Sequence, residues 1–139
     1  LLSGRSGLGK TFLMNCVAQR VLERGYSVVV ISAYKLVELM RAYQFDGQGT
    51  EQVQDILNCD LLAIDDLGSE PMIRGVTISS LYYIVSERNN ANRAILVTTN
   101  CDSDLLYEKY DDRIAARLTA PSRMNVIEFV GTDVRRFAH

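Results

Sequence analysis

Eight residues near the start of the chain combine glycines, a lysine and a threonine at a spacing suited to binding phosphate. They match the pattern G-x-x-x-x-G-K-[ST] at every fixed position. Glycines let successive backbone N–H groups turn towards an anion, and a following helix adds its positive end. In this pattern Lys10 reaches the β- and γ-phosphates of a nucleotide, and the Thr11 hydroxyl holds Mg²⁺. The residues expected to bind the nucleotide are Gly4, Ser6, Gly7, Leu8, Gly9, Lys10 and Thr11.

Two adjacent carboxylates follow a short apolar run in the middle of the chain. Residues 61–64 are Leu-Leu-Ala-Ile, typical of a buried strand, and Asp65 and Asp66 come directly after them. In a catalytic interpretation Asp65 binds Mg²⁺ through water and Asp66 polarises the attacking water. The alternative is an ordinary polar strand end that opens a turn. The phosphate-binding loop earlier in the chain favours the catalytic interpretation.

Three further polar residues leave two interpretations open. Asn100 closes the apolar run 94–97 and its two threonines, and could orient water if that strand lies beside the one before Asp65. It could equally be a turn-forming residue that caps the next helix. Arg113 and Arg117 lie four residues apart, so they share a helix face. They could reach a neighbouring subunit's γ-phosphate, which is worth about 10³–10⁵ in rate, or belong to a solvated face paired with nearby aspartates.

Composition limits the remaining possibilities. The 139 residues carry a net charge of −2 and suit one domain with its own core. That charge gives no strong field towards nucleic acid, so any DNA contact would be local or shared between subunits. No apolar run approaches the ~20 residues of a membrane helix. The three cysteines (Cys16, Cys59, Cys101) and the single histidine, His139, lack metal-ligand spacing, which favours reduced thiols in a cytoplasmic protein.

Strand and helix patterns alternate along the chain. Strands are predicted at residues 1–3, 27–32, 60–64, 93–98 and 125–130, and helices at 11–24, 35–43, 50–57, 76–89, 102–109 and 111–118. In the first helix Leu13, Val17 and Val21 share one face, and the run 27–32 is predicted to be buried on both faces. The alternation predicts an α/β fold: a parallel sheet with helices on both faces, and phosphate at the carboxyl ends of the strands.

Together these segments resemble the AAA+ ATPases, a group of P-loop NTPases, and in particular bacterial replicative helicase loaders of the DnaC/DnaI type. Transposition helper ATPases of the IstB type share most of the pattern. The resemblance rests on residues 4–11, 61–68, 96–100 and 112–118, and it covers essentially the whole chain. It implies that residues 1–139 are an AAA+ ATP-binding domain, which we expect to be a fragment lacking an N-terminal partner-binding region.

The resemblance also implies roles for individual residues. Asn100 is similar to the sensor 1 residue and Arg117 to the arginine finger, with Arg113 beside it. Arg136, or Arg135, stands where a sensor 2 arginine would lie, although a basic chain end explains this pair equally well. Residues 35–57 occupy the place of helices that line a single-stranded DNA path in initiators and loaders. A solvated helix with core tyrosines is the alternative there. The candidate DNA-contacting residues are Tyr34, Lys35, Arg41 and Tyr43.

Two departures from the family pattern bear on function. Asp66 replaces the commoner Glu, which would make hydrolysis slow or dependent on a partner, and little sequence remains for a helical lid. The expected function is an ATP- and Mg²⁺-dependent protein that loads the replicative helicase, self-assembles through a shared ATP site and contacts single-stranded DNA. The alternatives are a transposition helper on duplex DNA, a nucleotide-gated scaffold with little hydrolysis, and a small-molecule kinase.

Overall fold

A computed structural model describes residues 1–122 and 124–137, and it contains a five-stranded, fully parallel sheet. His139 lies outside the described residues. The strands lie in the order β2-β3-β4-β1-β5, so β1 is flanked by β4 and β5, and β4 separates it from β3. The strand bounds are β1 Leu2–Gly4, β2 Val28–Ser32, β3 Leu61–Leu67, β4 Ala94–Thr99 and β5 Ile127–Phe129. The predicted α/β fold with a parallel sheet is confirmed.

Among the described residues, six α-helices connect the strands. Their bounds are α1 Lys10–Glu23, α2 Ala33–Asp46, α3 Thr50–Asn58, α4 Thr77–Asn90, α5 Ser103–Lys109 and α6 Asp112–Thr119. Two predicted starts are confirmed by their capping bonds: Asp102 accepts from the Leu105 N–H, and Asp111 accepts from the Ile114 N–H. Helix α2 extends beyond its predicted bounds at both ends, and Ser32 caps its start by accepting from the Lys35 N–H. After β5 the described residues include a 3₁₀ turn, Val134–Phe137.

The two faces of the sheet are covered unequally. On one face, Leu62 and Ile64 of β3 belong to the main core, which also contains buried residues of α2, α3, α4, α5 and α6. On the other face, Ala63 packs with Leu2 and with Met14 of α1 in a much smaller cluster. Residues 62, 63 and 64 alternate between the two faces because successive side chains of a strand point to opposite sides of the sheet. Helices lie on both faces, as predicted, but α1 alone covers the second face over β3 and β4.

The apolar face of α1 is not its buried face, and the burial predicted for β2 is wrong. The buried positions of α1 are Lys10, Met14 and Ala18, whereas Leu13 and Val17 face outward and are more than a third exposed. The apolar run of β2 was predicted to be buried on both faces, but β2 is an edge strand and Val30 is 48% exposed. An apolar run indicates that a strand is hydrophobic, but it does not indicate where the strand lies in the sheet. Only the strand order decides which strand lies at the edge.

A bulge near the end of β3 changes the direction of the strand beside the site. The strand continues through Asp65 and Asp66, beyond the predicted end at Ile64. Its pairing with β4 shifts between Ile64 and Leu67, and Asp66 has a φ of 59°. A bulge of this kind redirects a side chain at the edge of a site. Strand β5, in contrast, is shorter than predicted at both ends.

A fully buried arginine joins the elements at the opposite, amino edge of the sheet. The Arg88 guanidinium of α4 donates to the carbonyl oxygens of Ile56 and Ala94, each at 2.7 Å, and more weakly to Leu57 and Asp60. It therefore ties the end of α3 to the starts of β3 and β4. Burial lowers the pKa of Arg88, which reflects the cost of holding this cation away from water.

Within the described residues, no helix has the length and apolar character needed to cross a membrane. Over the same residues, no group of three or more histidine, cysteine or carboxylate side chains is placed to hold a metal ion. The three cysteines are free thiols, in agreement with the prediction.

Candidate nucleotide-binding site

The loop between β1 and α1 forms one wall of a cavity of about 370 Å³ at the carboxyl edge of the sheet. Gly9, the N-cap of α1, has a φ of 91°, and Gly7 has a φ of 82°, conformations that favour glycine. Five predicted residues line the cavity: Ser6, Gly7, Gly9, Lys10 and Thr11. Gly4 and Leu8 instead line a separate groove beside β5. The far wall carries Asp65, Asp66, Thr98 and Asn100.

Lys10 is a buried cation held by the loop itself. Its side chain is 7% exposed, and its Nζ donates to the carbonyl oxygens of Gly4 and Arg5, each at 2.7 Å. Desolvation lowers the pKa of Lys10, while the nearby carboxylates of Asp66 and Asp65 act in the opposite direction. Among the described residues Lys10 forms no ion pair with a carboxylate. An ammonium in this environment, open to the cavity, is suited to an anionic ligand.

A chain of oxygen atoms joins the two walls of the cavity. The Thr11 hydroxyl donates to Asp65 Oδ1 at 2.9 Å, and the Thr98 hydroxyl donates to the same oxygen at 2.5 Å. A hydroxyl and a carboxylate are hard oxygen ligands of the type that Mg²⁺ prefers. The donor set at Thr11 and Asp65 therefore fits the predicted metal.

The β3 bulge and the end of β4 place the remaining predicted polar residues. The Asp66 N–H donates to the Thr98 hydroxyl at 2.8 Å, which fixes the backbone of Asp66 against β4. Because β4 lies beside β3, Asn100 comes to the same cavity as Asp66. Asn100 was expected to be able to orient water only if its strand lies beside the strand that carries the carboxylates, and β4 does lie beside β3. Thr98, which joins Asp65 to Asp66, was not predicted, although it directly precedes Thr99 and Asn100.

The 3₁₀ turn after β5 closes the cavity against the phosphate-binding loop. The Val134 N–H donates to the Gly7 carbonyl at 2.8 Å, and Arg135 lines the cavity and contacts the Ser6 hydroxyl at 3.4 Å. Arg135 also pairs with Asp133 at 2.6 Å, and this pairing lowers the pKa of Asp133 to about 2. Arg136 is exposed and does not line the cavity. Of the two arginines proposed for sensor 2, the geometry favours Arg135.

Arg113 and Arg117 lie elsewhere, on the face of α6 that packs against α4. The two guanidinium carbons lie 4.7 and 5.1 Å from the centre of the Tyr82 ring. Arg113 also pairs with Asp111 at 2.8 Å, as the solvated-face alternative expects. The predicted common face is confirmed. Neither arginine lines the nucleotide cavity of its own chain, so any contribution to catalysis would have to be made to another subunit's site.

This site has the architecture of a P-loop nucleotide-binding domain, and sequence comparison identifies the family. Residues 1–120 match the sequence model described as IstB-like ATP binding protein. The chain belongs to this family. Membership covers most of the chain and includes every predicted site residue except the arginines after β5.

Proteins similar in sequence to this chain include helicase loaders. The chain is 28% identical over 131 residues to the replicative helicase loader DnaC of Escherichia coli strain K12. The aligned region is 91% of this chain and 52% of that protein. The chain spans about half the length of the curated relatives it matches.

Solved structures agree on the fold. A crystal structure of the DnaC helicase loader superposes with a TM-score of 0.77 at 21% identity, covering 93% of this chain and 76% of that one. A replication initiator DnaA bound to AMPPCP and single-stranded DNA gives a TM-score of 0.78 at 22% identity, covering 94% of this chain and 40% of that one. The fold is therefore that of the AAA+ domains of these replication proteins.

Proposed function

We propose that this domain binds ATP with Mg²⁺ and hydrolyses it slowly as part of a cytoplasmic protein that loads a replicative helicase. The observation that carries the proposal is the bond from the Thr11 hydroxyl to Asp65, which brings the two predicted metal ligands together beside Lys10. Residues far apart in the chain meet here, and their types are those used in phosphoryl transfer, which supports the proposal.

Each residue of the cavity has a role in this proposal. Lys10 and the backbone N–H groups of the loop bind the phosphates, and Thr11 and Asp65 hold Mg²⁺, which would neutralise developing phosphate charge. Asp66 polarises the attacking water, and Asn100 orients it. Because Asp66 is one methylene shorter than glutamate, its carboxylate reaches less far, and we expect slow turnover in the isolated domain.

Arg117, with Arg113 beside it, would complete the ATP site of a neighbouring subunit. Both guanidinium groups lie outside the cavity of their own chain, and each contacts the ring of Tyr82. A hydrogen bond from Arg117 Nη2 to the Tyr82 hydroxyl, 3.4 Å long, restricts its side chain further. A guanidinium held by stacking loses less freedom on binding phosphate than a mobile one. Self-assembly is therefore part of the proposed mechanism.

Single-stranded DNA and the helicase are the proposed partners. Tyr34, Lys35 and Arg41 are exposed on α2, and Tyr34 and Arg41 lie seven residues apart on one side of that helix. An aromatic ring with basic neighbours suits stacking on bases and contact with phosphates. Tyr43 instead packs against the main core, so we do not include it in the DNA surface. The name of the Escherichia coli relative supports a helicase as partner.

ATP turnover by the full-length protein, with and without single-stranded or duplex DNA, tests this function. We expect single strands to stimulate turnover, and Asp65→Ala to abolish the stimulated rate because a metal ligand is lost. Preference for duplex DNA would instead support a transposition helper. Tight ATP binding without turnover, even with a helicase present, would indicate a nucleotide-gated scaffold. Phosphate transfer to a small molecule would indicate a kinase.

Subunit mixing tests the shared site directly. Arg117→Ala should lower kcat by about 1,000-fold or more while ATP affinity is retained, because the arginine acts on a neighbour's transition state. Lys10→Ala subunits should bind and use ATP poorly, but they keep Arg117. Mixing the two inactive variants should therefore restore part of the activity, since a Lys10→Ala subunit supplies the missing arginine. No recovery in mixed assemblies, or full activity of Arg117→Ala alone, would contradict a shared site.

A further inference from the structure

Glu70 is a buried carboxylate outside the nucleotide cavity. It lies in the loop after β3 and is 3% exposed. Its Oε2 accepts from the Gly68 N–H at 2.7 Å, and its Oε1 accepts from the Tyr110 hydroxyl. A buried carboxylate is costly unless it is hydrogen-bonded. These two bonds therefore hold Glu70 between the loop after β3 and the corner between α5 and α6.

On the cavity side, the loop that carries Glu70 is fastened to Asp66 and to β4. The Asp66 carbonyl accepts from the Ser69 N–H at 3.2 Å and from the Ser69 hydroxyl at 2.8 Å. The Leu67 carbonyl accepts from the Thr99 hydroxyl at 2.6 Å, one residue before Asn100. The position of Glu70 is thus set by the same bulge that places Asp66 in the cavity.

On the other side, Tyr110 leads directly into the helix that carries the arginines. Tyr110 is buried, and the next residue, Asp111, caps α6 and pairs with Arg113. Lys109 Nζ donates to the Gly68 carbonyl, so two neighbouring side chains hold this corner to the same loop. Burial raises the pKa of the Tyr110 hydroxyl, which therefore stays protonated and able to donate.

The polar character of this contact needs a reason. Two apolar side chains could fill the same space without the cost of desolvating a carboxylate, and such replacements are often neutral or stabilising. A hydrogen-bonded pair, in contrast, accepts only a narrow range of distances and angles. The consequence of the Glu70–Tyr110 pair is therefore a defined position of α6 relative to the β3 bulge.

We propose that Glu70 and Tyr110 are positioning residues that hold α6, and with it Arg117, in the geometry needed to reach the ATP site of a neighbouring subunit. This inference rests on the proposed function, because it requires Arg117 to act in that site. Neither Glu70 nor Tyr110 lines the nucleotide cavity. It acts only through the placement of α6, so its effect must depend on Arg117.

Tyr110→Phe in the full-length protein tests this role, since it removes only the hydroxyl. We expect kcat to fall about 10- to 100-fold, the range produced when a catalytic group is displaced by about 1 Å. The dissociation constant for ATP should stay unchanged, because the cavity itself is intact. Tyr107→Phe is the matched control: Tyr107 lies three residues earlier, on α5, is exposed, and its change should leave both quantities unchanged.

A double-mutant cycle with Arg117→Ala separates positioning from general damage. If Tyr110 acts through Arg117, adding Tyr110→Phe to Arg117→Ala should lower kcat no further. A second full loss in the Arg117→Ala background would overturn the inference while leaving the proposed function intact. Full activity of Arg117→Ala alone would remove the trans-acting arginine and overturn both.

Glu70→Gln gives an independent variant if Tyr110→Phe does not fold. The amide has the same size and can still bond both partners, but a neutral group forms weaker hydrogen bonds than a carboxylate, so we expect a kcat loss of only about 3- to 10-fold. This smaller loss should also vanish in the Arg117→Ala background. Persistence of the loss there would overturn the proposal.

Discussion

Lys10 and Arg88 are two buried cations at opposite edges of the same sheet, and their surroundings differ. Lys10 bonds two carbonyls of a glycine-rich loop and lines the cavity at the carboxyl edge. Arg88, at the amino edge, bonds the carbonyls of Ile56, Asp60 and Ala94 and does not line that cavity. The Lys10 ammonium lies where it could turn to a phosphate in the cavity, whereas Nη1 and Nη2 of Arg88 are held by the backbone carbonyls that the fold brings around them.

This difference teaches how to separate a ligand-binding cation from a structural one. Burial alone does not distinguish them, because both side chains are less than a tenth exposed. Access to a cavity does distinguish them, because Lys10 lines the nucleotide cavity and Arg88 does not. Lys10 should therefore control nucleotide affinity with little effect on stability, and Arg88 should do the reverse.

The largest expected effect is that of Lys10→Ala on nucleotide use. We expect kcat/KM for ATP to fall about 100- to 1,000-fold, the cost of removing one preorganised charge-stabilising donor. The free energy of unfolding should change by less than about 1 kcal/mol, because the lost bonds are offset by the removed desolvation cost. Steady-state kinetics and urea unfolding check the two halves. The control is Lys35→Ala, an exposed lysine assayed without DNA, and a large loss of stability for Lys10→Ala would contradict the comparison.

Arg88→Met should show the opposite pattern. Loss of the guanidinium leaves the buried carbonyls of Ile56 and Ala94 without their donor, so we expect destabilisation by about 2–4 kcal/mol. ATP affinity of the folded fraction should be unchanged. Urea denaturation gives the stability, and Arg20→Met, on the exposed surface of α1, is the control with an effect below about 0.5 kcal/mol. Weakened ATP binding with intact stability would show that the amino edge also serves the site.

The smallest expected effect is a pH dependence of nucleotide affinity. Desolvation lowers the pKa of Lys10 below its usual value of 10.5, so the ammonium loses its proton at lower pH than an exposed lysine. Because only the charged form attracts phosphate, ATP affinity should weaken as pH rises through this lowered pKa, by about tenfold per pH unit once Lys10 is neutral. Titration calorimetry from neutral to alkaline pH measures it. Lys10→Arg stays charged throughout, so an identical alkaline decline in that variant would exclude Lys10 as its cause.

Local features of the fold were predictable because their causes are local. The phosphate-binding loop needs residues that lie within one short segment, and Asp65 and Asp66 follow directly from the apolar strand before them. At Asp102 and Asp111, the capping carboxylate accepts a hydrogen bond from the backbone N–H three residues later. Each of these could be predicted from spacing and residue type.

Predictions that depended on neighbours in space were less successful. The buried face of α1 carries Met14 rather than Leu13, and β2 is exposed at Val30, because one helix covers a face that the apolar pattern assigned to the interior. Thr98 was missed as the partner of Asp65, and Arg135 rather than Arg136 reached the cavity. A hydrophobic residue has the same sequence signature whether a helix covers it or not.

The sequence by itself determined a parallel α/β nucleotide-binding fold with the loop, the carboxylates and the capped helices in their places. Only the tertiary structure decided that Asp65 meets Thr98, that Glu70 meets Tyr110 and that Arg88 joins three elements. The physical reason is the strand order. Once β4 lies between β3 and β1, residues far apart along the chain become neighbours, and local propensity carries no information about which of them will meet.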